Sequence, residues 1–331
     1  MSHWDDVRGH EQVRKWFERA IERGRLSHSY IFAGPGGIGK KLFARKVAQA
    51  LLCERQTDQI LEACNACPNC ARFRAGSHPD YYELGCPEGK REIPVDVFVG
   101  DLDHRGRQGL CYELSLRPMA GDRKVAVIDD AHLMNRESGN SLLKTLEEPP
   151  DKCLILLITE QEDALLPTIR SRCQLVRFPS LSEQDMRELL LAQVETTDEE
   201  IIAQAVRLSN GSLDVAKSLL EGIPAKLFTL IVRTFEQKTV NPIELNVKLM
   251  EILEESPDSA TQRETCFWIL RYLGEFFRSA GRSQPDSPQQ TDKLKRYVPR
   301  IREAERQLHE SMPISLWVQG LVDDLARIHA I

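Results

Sequence analysis

No stretch of this chain is apolar over the ~20 residues that a membrane-spanning helix needs. Its most apolar segment, LILLI at 154–158, has the length of a buried strand. A secretion leader is also missing from the opening twelve residues, MSHWDDVRGHEQ, which are charged from the start and lack an apolar core. The expectation is a cytoplasmic protein. Positive charge is in deficit too, with 44 Lys and Arg against 50 Asp and Glu and a net charge of −6. That argues against a strongly basic nucleic-acid binder, because contacts to a phosphate backbone are made mainly by Lys and Arg. A local basic face within an assembly stays open. No internal repeat is present, and strand-like runs cease after Pro179.

What is there is a globular composition, 41% apolar and 28% charged, on a chain of 331 residues, long enough for two or three domains. The segment EQVRKWFERAIER (11–23) sets Val13, Trp16, Phe17, Ala20 and Ile21 on one helical face. SYIFAG then reads as a short strand running into GPGGIGKK (34–41), after which helical spacing resumes. A phosphate-binding loop reads G-x-x-x-x-G-K-[ST] between a strand and a helix: its amides cradle phosphates, its lysine meets the β and γ oxygens, and its hydroxyl holds Mg²⁺. Gly34, Gly39 and Lys40 fit the pattern, but the hydroxyl position is Lys41. An ammonium there supplies no hydroxyl and repels the cation. Idle nucleotide binding, with ATP and Mg²⁺ doubtful as cofactors, and a loop kept only for packing both remain open.

Further strands are read at KVAVIDDAH (124–132), CLILLIT (153–159) and QLVRF (174–178), separated by helical segments. Alternating strands and helices, with strands apolar enough to be buried on both faces, predict a parallel sheet in an α/β fold. The first of these strands ends in Asp129 and Asp130, the natural place for a Mg²⁺-binding carboxylate and a water-polarising acid. Asp130 is one methylene shorter than the glutamate usual for the second role; a solvated strand end is the alternative. From 181 onward the pattern is helical, with a break at Asn210-Gly211 and a turn at Asn241-Pro242. Only GRSQPDSPQQ (281–290) reads as a flexible loop.

Nine cysteines in a chain of this kind point to metal ligation rather than to disulfides. Cys64-x-x-Cys67-x-x-Cys70, preceded by Cys53 after a ten-residue gap, offers four thiolates within eighteen residues. Four such ligands suit tetrahedral Zn²⁺ in a closed, structural site, and the spacing lacks the cysteine run of ferredoxin-type iron–sulfur sites. The other five cysteines are scattered and read as core residues. Arg172, in Ser171-Arg172-Cys173, is on spacing alone a surface arginine.

Taken in order, HSYIFAGPGGIGK, the four-cysteine insert, HPDYYEL, VAVIDDAHLMNRESGNSLLKTLEEPP and TIRSRC resemble the AAA+ core of bacterial clamp-loader subunits, over residues 3–178. The resemblance implies an α/β P-loop AAA+ core at 1–178 with a parallel sheet and a zinc module at 53–75. A helical lid at 179–238 and an all-α collar at 239–331 would follow. It further implies a hetero-pentamer with gamma/tau and delta subunits, joined through the collars, which loads a sliding clamp on primed DNA for DNA polymerase III. Thr159 matches the sensor-1 position, and Arg172 becomes an arginine finger offered to a neighbour's ATP. Three departures touch ATP chemistry: Lys41, Asp130, and Asp214 after the Gly211-Ser212-Leu213 turn, where the family carries an arginine. They favour a non-hydrolysing member, with ATPase activity weak or absent and no polymerase site. An active gamma/tau-type ATPase and a zinc-dependent DNA-binding module on a vestigial ATPase core are the alternatives.

Overall fold

The computed structural model describes residues 3–330 apart from 56–59, 88–89, 91, 195–198, 210, 238, 257, 284–287 and 310–311. Part of the 53–75 module, Asn210 of the helix break, the 238 boundary and the middle of the 281–290 loop therefore lie outside the described residues. The chain divides into two compact units, residues 1–182 and 183–331.

The first unit is built on a five-stranded sheet. Its elements run α1 (Glu11–Glu22), β1 (Ser29–Ala33), α2 (Lys40–Leu51), α3 (Pro68–Arg74), β2 (Tyr81–Leu84), α4 (Asp96–Val99) and α5 (Leu110–Ser115). Then come β3 (Lys124–Ile128), α6 (Arg136–Glu147), β4 (Cys153–Thr159), α7 (Pro167–Arg170) and β5 (Gln174–Arg177). The strands lie in the order β2-β3-β4-β1-β5, every adjacent pair parallel. Parallel neighbours need crossovers, and the helices between strands supply them. Strands β1, β3 and β4 are buried along their whole length, whereas the edge strands β2 and β5 are half-exposed. Continuous apolar runs are therefore central, as expected for a parallel sheet covered on both faces.

Side chains alternate across β1. Ile31 and Ala33 join a core with α4, α5 and α6 that includes Phe98, Leu114 and Leu142. Tyr30 and Phe32 point the other way, into an aromatic cluster. There Phe43 of α2 lies 5.9 Å from Phe32, 5.9 Å from Phe17, 5.2 Å from Phe178 and 5.1 Å from Trp4, ring centre to ring centre. Phe43 begins the helical bonding of α2, donating its N–H to Gly39 O. The cluster thus fixes the helix that starts at the glycine-rich loop.

The second unit contains α8 (Glu183–Leu191), α9 (Glu199–Leu208), α10 (Leu213–Ser218), α11 (Gly222–Phe235) and α12 (Pro242–Glu254), followed by α13 (Ser259–Ser283), α14 (Pro288–His309) and α15 (Ile314–His329). One apolar core extends from Ala205 through Phe228 and Leu249 to Trp317 and Leu325. Phe277 and Tyr297 stack with centres 3.6 Å apart, and Trp317 Nε1 donates to Ala304 O. The 281–290 reading is corrected at both ends: α13 runs to Ser283 and α14 starts at Pro288. Proline is tolerated in the first turn of a helix, where its missing N–H would be unbonded anyway.

Phe43 is fully buried, so Phe43→Ala is expected to lower the stability of the first unit by about 3–5 kcal/mol. Urea unfolding of the purified variant measures this, and an unchanged midpoint would contradict the role given to the cluster.

Candidate functional site

The glycine-rich loop leaves the C-terminal end of β1 and turns into α2, the strand–loop–helix order of a P-loop. Gly39, the residue before α2, has φ 94°, which favours glycine. Gly34 N–H is bonded to Thr159 O, tying the loop to the end of β4. Lys40 is 5% exposed and folds back over the loop, its Nζ donating to Gly34 O at 2.7 Å and to Pro35 O. Glu160 lays its carboxylate against Gly36, where a Cβ would push that side chain aside.

Lys41 does something the motif does not call for. Its Nζ stands 3.1 Å from Asp129 Oδ2 and 3.1 Å from Glu83 Oε1. Parallel pairing of β2 with β3 aligns Glu83 with Val127, so the two acids emerge from neighbouring strand ends. Glu83 also receives Tyr81 OH and lies 3.4 Å from Arg45 Nε. Burial pulls the Lys41 ammonium down, but its hydrogen bonds to Asp129 and Glu83 outweigh this and raise its pKa. Burial likewise pushes the Glu83 carboxyl up, and Tyr81, Lys41 and Arg45 together hold it below the ordinary 4.5.

The remaining residues predicted for ATP chemistry are close by in sequence but differently employed. Asp129 Oδ1 accepts the N–H of Asp130, and Asp130 itself adopts φ 49° as the chain enters a short 3₁₀ turn. Thr159 is buried, and its hydroxyl both donates to Gln161 O and accepts from Gln161 N–H, each at 3.0 Å. That hydroxyl is turned onto its own backbone. Asp214 lies in the first turn of α10, in the second unit, where Ser212 caps the helix. The Mg²⁺ of a P-loop fits these residues poorly. The hydroxyl ligand is replaced by an ammonium, and that ammonium already sits on the carboxylate at the end of β3.

Arg172 lies at the other end of the sheet. Ser29, the first residue of β1, donates its hydroxyl to Arg172 O at 2.8 Å, whereas the glycine-rich loop follows the last residue of β1. At ~3.3 Å per residue, five residues of strand put roughly 15 Å between the two sites. The guanidinium is one-third exposed, paired with Glu147 Oε1 at 2.6 Å, and bonded to Thr168 O and Ser171 Oγ. Glu83 and Glu147 were not picked out from the sequence; the signals for them were an acid in the YYEL strand and one in the LEEPP helix end.

The four predicted cysteines come together. Cys53, Cys64, Cys67 and Cys70 place their sulfurs within 4.8 Å of one another, with Cys53–Cys67 at 3.9 Å and Cys64–Cys70 at 4.0 Å. Tetrahedral ligands at ~2.3 Å from zinc lie roughly 3.8 Å apart, so the set fits the ion. Backbone amides also point at the sulfurs: Cys64 N–H at Cys53, Cys67 N–H at Cys64 and Cys70 N–H at Cys67. The Ala66 amide leads the hydrogen bonds that lower the Cys64 thiol to about 6, while burial raises Cys53 and Cys70. Zinc would supply the charge that holds all four as thiolates. Asn69 fastens the insert to the core by donating to Leu52 O and Ala120 O.

A family model described as DNA polymerase III, delta subunit matches residues 9–182, which is more than half of the chain. The chain belongs to the DNA polymerase III delta subunit family. It is 36% identical over 197 residues to DNA polymerase III subunit delta' of Pseudomonas aeruginosa, covering 60% of this chain and 57% of that protein. To subunit delta' of Escherichia coli it is 32% identical over 219 residues, 65% and 62% of the two chains. To subunit tau of Bacillus subtilis it is 31% identical over 219 residues, 66% and 35%. The chain thus spans between about a third and two-thirds of these relatives. The solved structure of a DNA polymerase III gamma subunit-related protein from Thermotoga maritima aligns at TM-score 0.43 and 16% identity, over 95% of this chain and 99% of that one. No helix among the described residues of this family member is long and apolar enough to cross a membrane.

Two outcomes follow. Purified protein is expected to carry one zinc per chain by atomic emission, and Cys67→Ser to lose it; chelation should increase amide exchange in the 60–75 region while leaving β1, β3 and β4 protected. Retained zinc in the serine variant would rule the four-sulfur site out. Because the Glu83 pKa is depressed in the folded state, its contribution to stability is complete above pH 4.5 and is lost as pH falls through its lower folded value. Glu83→Gln should therefore show a shallower loss of urea midpoint on acidification than the wild type, and an equal or steeper loss contradicts the assignment.

Proposed function

We propose that this chain is a non-hydrolysing subunit of the DNA polymerase III clamp loader, of the delta-prime kind. In that role it helps load the sliding clamp on primed DNA, in the cytoplasm, and lends Arg172 to ATP held by a neighbouring gamma/tau subunit. The observation that carries this reading is the separation of the two sites along β1. Arg172 is at the start of the strand and the chain's own loop at its end, so the guanidinium is out of reach of its own loop and is one-third exposed at the opposite end of the sheet, beside Glu147. Lys41 on Asp129 supports the absence of hydrolysis, and Asp130, one methylene short of a glutamate, supports it further. Residues 179–238 would serve as the lid and 239–331 as the collar that joins gamma/tau and delta subunits in a hetero-pentamer. The zinc would be structural, stiffening the 53–75 insert.

Arginine fingers accelerate phosphoryl transfer by ~10³–10⁵. In a reconstituted ring, Arg172→Ala should leave assembly unchanged by gel filtration while removing one ATPase site's share of turnover. Normal turnover by the mutant ring would defeat the finger assignment. A second reading, an active gamma/tau-type ATPase, is favoured by the intact Gly39 and Lys40 and by kinship with tau at 31% identity. Robust Mg²⁺-dependent hydrolysis by the purified chain alone would establish it in place of the first.

A further inference from the structure

Where the loop enters α2, Lys41 and Arg45 meet the acids at the ends of β2 and β3 in one ion-pair cluster. Two carboxylates, Asp129 and Glu83, face two cations, Lys41 and Arg45, with Tyr81 OH as an extra donor to Glu83. A divalent cation added here would have to displace the ammonium that both carboxylates share. Mg²⁺ and Mn²⁺ demand oxygen ligands in near-octahedral geometry, at about 2.0–2.1 Å for Mg²⁺. The ammonium, 3.1 Å from both of the oxygens that would provide such ligands, occupies the same space and carries the same sign of charge. It is also covalently tethered, so it is present at every metal concentration.

We infer that Lys41 is a built-in substitute for the divalent cation of a P-loop: its ammonium fills the cation position, the site excludes Mg²⁺ and Mn²⁺, and removal of that one amino group opens a divalent-cation site on Asp129 and Glu83. This rests on reading residues 34–41 as a P-loop and deepens the account of why the chain does not hydrolyse ATP. It is separate from the role of Arg172, which is measured on the partner's turnover. The Lys41 side chain is about half exposed, so its replacement leaves no cavity in the core.

The test is a Mn²⁺ titration of the zinc-loaded, full-length chain followed by electron paramagnetic resonance. Manganese prefers carboxylates to thiolates, which keeps the cysteine cluster out of the readout. Wild type and Lys41→Arg, which keeps the charge, are expected to bind no Mn²⁺ at this site. Lys41→Thr and Lys41→Met should each gain one Mn²⁺ per chain, bound at least about tenfold more tightly than any wild-type binding, and the threonine variant tighter because it restores the hydroxyl ligand. Adding Asp129→Asn should abolish the gain. The inference is overturned if wild-type protein already binds one Mn²⁺ that Asp129→Asn removes. It is equally overturned if folded Lys41→Thr and Lys41→Met, with unchanged circular dichroism and zinc content, bind no more Mn²⁺ than wild type.

Discussion

The hydrogen-bonded placement of β1 between β4 and β5 is the constraint on which the first unit depends. Because all three strands are parallel, their beginnings share one edge of the sheet and their ends the other. With β2 and β3 parallel to them as well, the loop after β1, Glu83 near the end of β2 and Asp129 after β3 share one end of the sheet. The start of β5 brings Arg172 to the opposite one, where Ser29 holds its backbone. Strand polarity thus separates the glycine-rich loop and Lys41 from the Arg172 guanidinium, and the aromatic cluster around Phe43 keeps the loop's helix seated.

Much of this was legible in the residues. The order strand, glycine-rich loop, helix identified the loop, and the apolar runs of β3 and β4 identified buried strands. The spacing of Cys53, Cys64, Cys67 and Cys70 anticipated a cluster whose sulfurs do meet. Less visible was β2, a four-residue edge strand whose half-exposed YYEL lacks the continuous apolar run that marks the central strands. Missing β2 meant missing Glu83, because the partnership of Glu83 with Lys41 exists only once β2 lies beside β3. Glu147 was hidden for the same reason: its partner is 25 positions away and meets it only through the packing of α6 and α7. At the two ends of the 281–290 segment the residues misled because glycine, proline and serine usually punctuate; there α13 runs on to Ser283, Pro288 begins a helix, and Pro299 sits inside it.

Membership of the DNA polymerase III delta subunit family rests on residues 9–182, which hold both the glycine-rich loop and Arg172. Kinship extends over both delta' and tau proteins, at 36% and 31% identity, so sequence identity does not sort the chain between the two. What the structure adds at position 41 is a contact: the carboxylate at the end of β3 faces an ammonium 3.1 Å away.

The contact between Arg172 and Glu147 carries a last implication. Both side chains are partly solvated, and pairs of that sort are worth about 0–1 kcal/mol in water. The guanidinium is steadied besides by its hydrogen bonds to Thr168 O and Ser171 Oγ, so the ion pair adds a weak and replaceable contact to an already positioned side chain. Salt screens such a half-solvated pair, which ties the hold of Glu147 on this side chain to ionic strength.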